Sequence, residues 1–231
     1  MDARQKTAKA CSLLERRFGR PRPSRNEDPL DSLVGVILSQ NTSDRNSWPA
    51  FQKLKKRFRS WDALLAAPQK EVEKAIHSSG FYRIKAKRIR RSLEKIKRER
   101  GRLDLSFLFR LPTPDAKKFL LSLYGVGPKS AAIILNFSFA RPEFPVDTHV
   151  YRVTRRLGLY SFKYSREKAY ETMNAIVPDP QKTPCHINLI ELGRTICRPN
   201  KPKCPECPLD KICLKIGVKL SQAKRQRRPS R

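Results

Sequence analysis

The chain has 231 residues, with 51 Lys and Arg against 21 Asp and Glu, a formal net charge of +30 at neutral pH. Hydrophobic residues make up 39% and charged residues 31%, and mean hydropathy is −0.62, which describes a globular chain large enough for one sizeable domain or two small ones. Collagen, a membrane channel and a secreted disulfide scaffold are excluded. No apolar run exceeds five residues, as in Ala131 to Leu135, far below the ~20 of a membrane span. The amino-terminal MDARQKTAKA lacks the apolar segment of a secretory signal, so the expected setting is the inside of a cell, and the short chain suits a prokaryote. Charge this basic favours counterion-releasing contact with phosphates, so nucleic acid is the expected partner. No basic helix with aromatics along one face points to a membrane surface.

Apolar residues recur at helical spacing along most of the chain and strand alternation is scarce, so the expected fold class is all-α. Leu30 to Leu38 reads as a buried helix, and Trp48 to Phe58 as a second with Phe51, Leu54 and Phe58 on one face. Trp61 to Leu65, Glu71 to Ser78 and Tyr82 to Arg98 follow, divided by Pro68 and Gly80. In the last of these Ile89, Leu93 and Ile96 form an apolar stripe. Segment 83–102 otherwise carries eleven basic and two acidic residues, a solvated face or a DNA contact. Thr113, as an N-cap ahead of Pro114, opens a helix expected over Asp115 to Leu123. Ser130 to Ser138, Thr148 to Leu157, Ser165 to Ile176 and Cys185 to Ile196 complete the set, and 219–231, with six basic residues and no acid, reads as a flexible tail.

Four of the six cysteines lie within seventeen residues, as Cys197-x6-Cys204-x2-Cys207-x5-Cys213. The x2 pair lets two thiolates converge on one centre while the longer gaps wrap a loop around it, and Pro199, Pro202, Pro205 and Pro208 stiffen that loop. Zinc and an iron–sulfur cluster both accept four thiolates. The asymmetric spacing departs from the paired x2–4 pattern usual for zinc and favours a cluster. Cys11 and Cys185 read as reduced core thiols.

Leu123-Tyr124-Gly125-Val126-Gly127-Pro128-Lys129-Ser130 reads as a hairpin between two helices. Its glycines allow positive φ and close backbone approach, and the helix that opens at Ser130 offers N–H groups to a phosphate. Lys129 is either a phosphate contact or a partly desolvated nucleophile with a lowered pKa. Asp147, in Pro145-Val146-Asp147-Thr148-His149, is well placed as an N-cap with Val146 and Tyr151 as its staple. It is either a cap alone or a carboxylate that also stabilises positive charge on a sugar.

Taken together, LYGVGPKSAAIILN (123–136), VDTHVYRV (146–153), ILSQNTSD (37–44) and the Cys197–Cys213 spacing make the chain resemble the endonuclease III family of helix-hairpin-helix DNA glycosylases over roughly residues 25 to 215. The resemblance implies a bifunctional base-excision repair enzyme with a 4Fe–4S cluster held by Cys197, Cys204, Cys207 and Cys213. In that family a lysine at the Lys129 position attacks C1′, the base leaves, a Schiff base forms, and β-elimination cuts the strand 3′ to the lesion. The aspartate at the Asp147 position assists. Relatives without the lysine only remove the base, so Lys129 argues for glycosylase and lyase together. The expected substrate is double-stranded DNA carrying damaged bases, oxidised pyrimidines foremost, or abasic sites, and the enzyme is expected to act as a monomer.

The resemblance also implies two all-α domains: a six-helix domain over 22–139 with the hairpin, and an iron–sulfur cluster domain from 1–21 and 140–218. A flipped base leaves a gap that side chains must fill. Ungapped alignment puts Asn41 at the family's amide position with Gln40 just before it, and either can insert. Phe81 stands where the family usually has leucine, and reads either as core or as a second inserting residue. In the hairpin, Gly125, Val126, Gly127 and Ser130 are expected against the DNA backbone. Tyr124 and Ser130 replace the family's common proline and threonine. The rivals are a monofunctional or mismatch glycosylase, a non-catalytic DNA-binding protein, and a zinc-loop RNA-binding protein.

Overall fold

The structure, a computed structural model, describes residues 1–21 and 28–218, and among them it contains helices and no strand. The tail expected over 219–231 lies outside the described residues. The chain divides into two compact units, Met1–Pro21 with Val146–Arg231 and Arg22–Pro145.

In the Arg22–Pro145 unit, seven helical segments surround a single apolar cluster: α2 (Pro29–Ser39), α3 (Asp44–Arg57), α4 (Trp61–Ala66), α5 (Gln69–Ala75), α6 (Tyr82–Arg100), α7 (Thr113–Leu121) and α8 (Pro128–Phe139). The Ile89–Leu93–Ile96 stripe is fully buried in that cluster together with Leu33, Ile37 and Leu54, while the opposite face of α6 stays charged. Gly101, with φ 73°, closes α6 in the left-handed conformation. Helix α3 begins four residues before Trp48, with Pro49 inside it, and α7 begins at Thr113 rather than Asp115. Residues 140–145 stay with this unit. The Arg141 guanidinium donates to the carbonyls of Leu108 and Leu111 at 2.5 and 2.6 Å, and the Asn136 amide donates to the carbonyl of Glu143.

The other unit packs α1 (Ala3–Phe18), α9 (Thr148–Leu157), α10 (Arg166–Ile176) and α11 (Asp179–Thr195) ahead of the cysteine loop. Helix α1 starts with a capping box in which Asp2 accepts from the Gln5 N–H at 2.8 Å. Helix α11 starts six residues earlier than expected and runs through Pro184. A proline there removes the bond to the Pro180 carbonyl, and Arg20 donates to that carbonyl instead, at 3.3 Å.

The reading of Cys11 and Cys185 as reduced thiols is corrected by the fold. Helices α1 and α11 lie side by side, the two Cα atoms are 5.2 Å apart, and the sulfurs form a disulfide across 174 residues of chain. Sequence spacing gives no hint of a pairing that only the helix packing creates. A bridge closing so long a loop restricts the unfolded chain strongly. Replacing both cysteines by alanine is expected to lower stability by about 2–5 kcal/mol, read as a lower denaturant midpoint that a reductant reproduces in the wild type. Midpoints insensitive to reductant would refute the bridge.

Candidate active site and cysteine centre

Helix α7 ends at Leu121 and the chain turns through Leu123–Gly127 into α8, whose first residue is Pro128. Gly125 adopts φ +79°, and a Cβ on it would sit 2.5 Å from Cδ of Arg88, so any side chain there is strained and displaces Arg88. Val126 is buried, its N–H donating to the Leu123 carbonyl at 3.2 Å. Gly127 is the N-cap and brings no side-chain cap, which leaves the first N–H groups of α8 for a ligand. Ser130 is buried, whereas Lys129 is exposed at the second position of the helix. The partly desolvated amine expected from the sequence is therefore not found in the free protein; desolvation would have to come with DNA. Tyr124 lies under Arg91, whose guanidinium carbon is 3.7 Å from the ring centroid, and its carbonyl accepts from Ser92.

The two amide candidates differ in what they do. The half-buried Gln40 is committed inside the protein: its Nε2 donates to the Gly125 carbonyl at 2.6 Å, and its Oε1 accepts from Arg88 at 2.8 Å. Asn41 is exposed and left-handed, with φ 52°. Phe81, also left-handed with φ 48°, is 63% exposed, which excludes its alternative reading as a core residue. Between the two loops lies Lys85, 2% exposed, whose ammonium donates at 2.7 Å to the carbonyls of both Leu38 and Ser79. Burial, and after it the neighbouring Arg88 guanidinium, lower its pKa to about 8. Lys85 gave no signal in the sequence because it sits in a run of like residues.

In the other unit Asp147 caps α9, its Oδ1 accepting from the Val150 N–H at 2.7 Å. The rest of α9 is tied to the cysteine loop by two arginines. Arg152 donates to the carbonyls of Gly193 and Cys197 at 2.8 and 3.0 Å. Arg156 donates to the carbonyls of Arg198 and Pro199 at 2.7 and 2.8 Å and approaches the Cys197 sulfur at 3.5 Å. Gly193 lets α11 come this close, since a Cβ there would meet Cβ of His149 at 2.9 Å.

Cys197, Cys204, Cys207 and Cys213 are all free thiols and together line one pocket with Ile196 and Pro202. Burial pushes the Cys207 thiol up to about 11 and raises Cys213 as well, so thiolates there need a positive group to compensate them. Among the described residues no three His, Cys, Asp or Glu side chains are arranged around a single metal ion. Zinc would draw the four sulfurs to ~2.3 Å from one point. Four thiols lining one pocket are also a donor set that an iron–sulfur group accepts.

Comparison with known proteins agrees with this geometry. The HhH-GPD superfamily of base excision DNA repair proteins matches residues 34–179. Endonuclease III of Thermotoga maritima is 35% identical over 194 residues, covering 84% of this chain and 86% of its own, and that of Bacillus subtilis is 32% identical over 188 residues, covering 81% and 82%. A protein of Arabidopsis thaliana, provisionally named a DNA glycosylase, is 38% identical over 192 residues; the matched region is 79% of this chain and 66% of that protein. Among solved structures, a trapped covalent intermediate of endonuclease III with DNA superposes with a TM-score of 0.80 at 28% identity, over 93% of this chain and 97% of that one. A thermostable thymine-DNA glycosylase shares the fold at 22% identity and a TM-score of 0.73. The chain belongs to the endonuclease III family, within the HhH-GPD superfamily of DNA glycosylases that carry out base excision repair.

Proposed function

We propose that this DNA glycosylase is also a lyase, removing oxidised pyrimidines from double-stranded DNA and cutting the strand through a Schiff base on Lys129. The observation that carries the reading is the placement of Lys129 directly after the glycine hairpin, at an uncapped helix start that can hold a phosphate. The Lys129 amine forms a bond to C1′ as the glycosidic bond breaks, and the electron pair and a proton leave with the base. The C1′–O4′ bond then breaks, O4′ takes up a proton, and the opened sugar is held as an imine that acidifies the C2′ hydrogen. Loss of that proton expels the 3′ phosphate, which cuts the strand 3′ to the lesion.

Asp147 contributes a carboxylate whose Oδ1 is held by the α9 cap, suited to stabilising positive charge on the sugar as the base departs. Gly125, Val126, Gly127 and Ser130 form the backbone grip on the damaged strand. Asn41 takes the gap left by the flipped base, because Gln40 is already bonded to Gly125 and Arg88. Phe81 enters from its strained turn on the other side. The four cysteines hold a 4Fe–4S cluster, which shapes the basic loop of Arg198, Lys201, Lys203 and Lys211 for the DNA backbone and has no part assigned in bond breaking. The enzyme acts as a monomer, at the nucleoid of a prokaryotic cell.

The test is a duplex carrying one thymine glycol, resolved on a denaturing gel with and without hot alkali. Cleavage without alkali, leaving an unsaturated aldehyde at the 3′ end, is the expected result. Cleavage that appears only after alkali would mean that the protein removes the base and stops.

A further inference from the structure

Asn41 and Phe81 are both non-glycine residues held at positive φ, a conformation that costs energy and persists only where neighbours enforce it. A single buried side chain links the two loops. Lys85 reaches from the first turn of α6 to the Leu38 carbonyl, three residues before Asn41, and to the Ser79 carbonyl, two residues before Phe81. Both carbonyls lie at helix ends, where the last C=O groups have no partner within the helix: Leu38 at the end of α2, and Ser79 closing the short 3-10 turn His77–Ser79. One turn further along α6, Arg88 holds Gln40, which in turn holds the Gly125 carbonyl of the hairpin. The three chain segments read as DNA contacts are thus pinned to one helix by two cations, Lys85 buried and Arg88 half-buried.

We propose that Lys85 is a positioning residue for base extrusion, fixing the separation at which Asn41 and Phe81 enter the duplex by bonding the carbonyl ahead of each. The proposal rests on the reading of Asn41 and Phe81 as the gap-filling pair. It assigns Lys85 no contact with DNA. Loosening either loop leaves the lyase chemistry on an already extruded sugar untouched and slows only the step in which the site is pushed out of the stack.

The experiment compares wild type and Lys85→Met, at saturating protein, in the rate of borohydride-trapped adduct formation on two DNAs. One is a duplex with an abasic site in a paired context; the other carries the same site in a three-nucleotide unpaired loop, where nothing has to be pushed out of a stack. The expected result is a loss of about tenfold or more on the paired site with less than about twofold change on the looped site, as misplacement of groups that only set geometry predicts. Equal losses on both DNAs would overturn the proposal, since general destabilisation scales both alike, and so would no loss on either. Where Lys85→Met does not fold, Lys85→Gln, which keeps a donor in the slot, carries the same comparison; failure of both to fold would mark Lys85 as a purely structural clamp. A wild-type protein that traps neither DNA would refute the lyase reading itself, an outcome distinct from a selective or proportional loss in the variant.

Discussion

A Lys129→Gln chain is expected to lose strand cleavage at an abasic duplex by at least about 10³-fold while binding the same DNA within about threefold of wild type. The asymmetry follows from the chemistry assigned to the residue. Glutamine keeps the size and a polar end but has no amine to form the C1′ bond, and no other group on the hairpin can replace it. The lost charge is one among 51 Lys and Arg, and one phosphate contact changes the salt slope of binding by roughly one ion. Because Lys129 is exposed, the substitution leaves the buried core of α8 intact, so the variant keeps its fold. Cleavage and affinity falling together would identify Lys129 as a phosphate contact, and unchanged cleavage would place the nucleophile elsewhere.

The second large effect is expected at the cysteine loop. Cys207→Ser removes one of the four proposed ligands from a loop whose two 3-10 turns, Cys204–Glu206 and Asp210–Ile212, are three residues each and bury nothing fully. The wild type is expected to be yellow-brown with broad absorbance near ~400 nm, and the variant to lose that colour, its bound iron and a cooperative part of its melting transition. The damage would spread beyond the loop. Arg152 and Arg156 bond carbonyls of Cys197, Arg198 and Pro199, so a disordered loop releases α9, the helix that presents Asp147. A drop of about tenfold or more in glycosylase rate should accompany the loss of iron. A colourless wild type containing zinc would contradict the cluster, and a colourless variant with unchanged melting and rate would show the loop to be self-supporting.

The apolar stripe of α6, the glycine hairpin and the cap of α9 were legible in the sequence because each is a local pattern: a 3.6-residue period, a glycine that only positive φ explains, an Asp before a helix. What escaped the sequence is what packing creates. The Cys11–Cys185 bridge exists because α1 lies along α11, 174 residues away. Helix α11 runs through Pro184, and Arg20, from the far end of the chain, bonds the carbonyl that the proline frees. Lys85 looks like any other cation of a basic helix until its two acceptors are seen, and the choice between Gln40 and Asn41 turns on bonds to Gly125 and Arg88 that no spacing reveals. Lys129 stands out in the sequence by its place after the hairpin, and its exposure corrects the expectation of an amine already desolvated.

The most direct measurement is to trap the wild-type protein on an abasic duplex with borohydride, digest the adduct, and locate the sugar remnant by mass spectrometry. The remnant is expected on the Nζ of Lys129, in the peptide that begins after Lys118. A remnant on any other amine, or no adduct at all, would contradict this assignment.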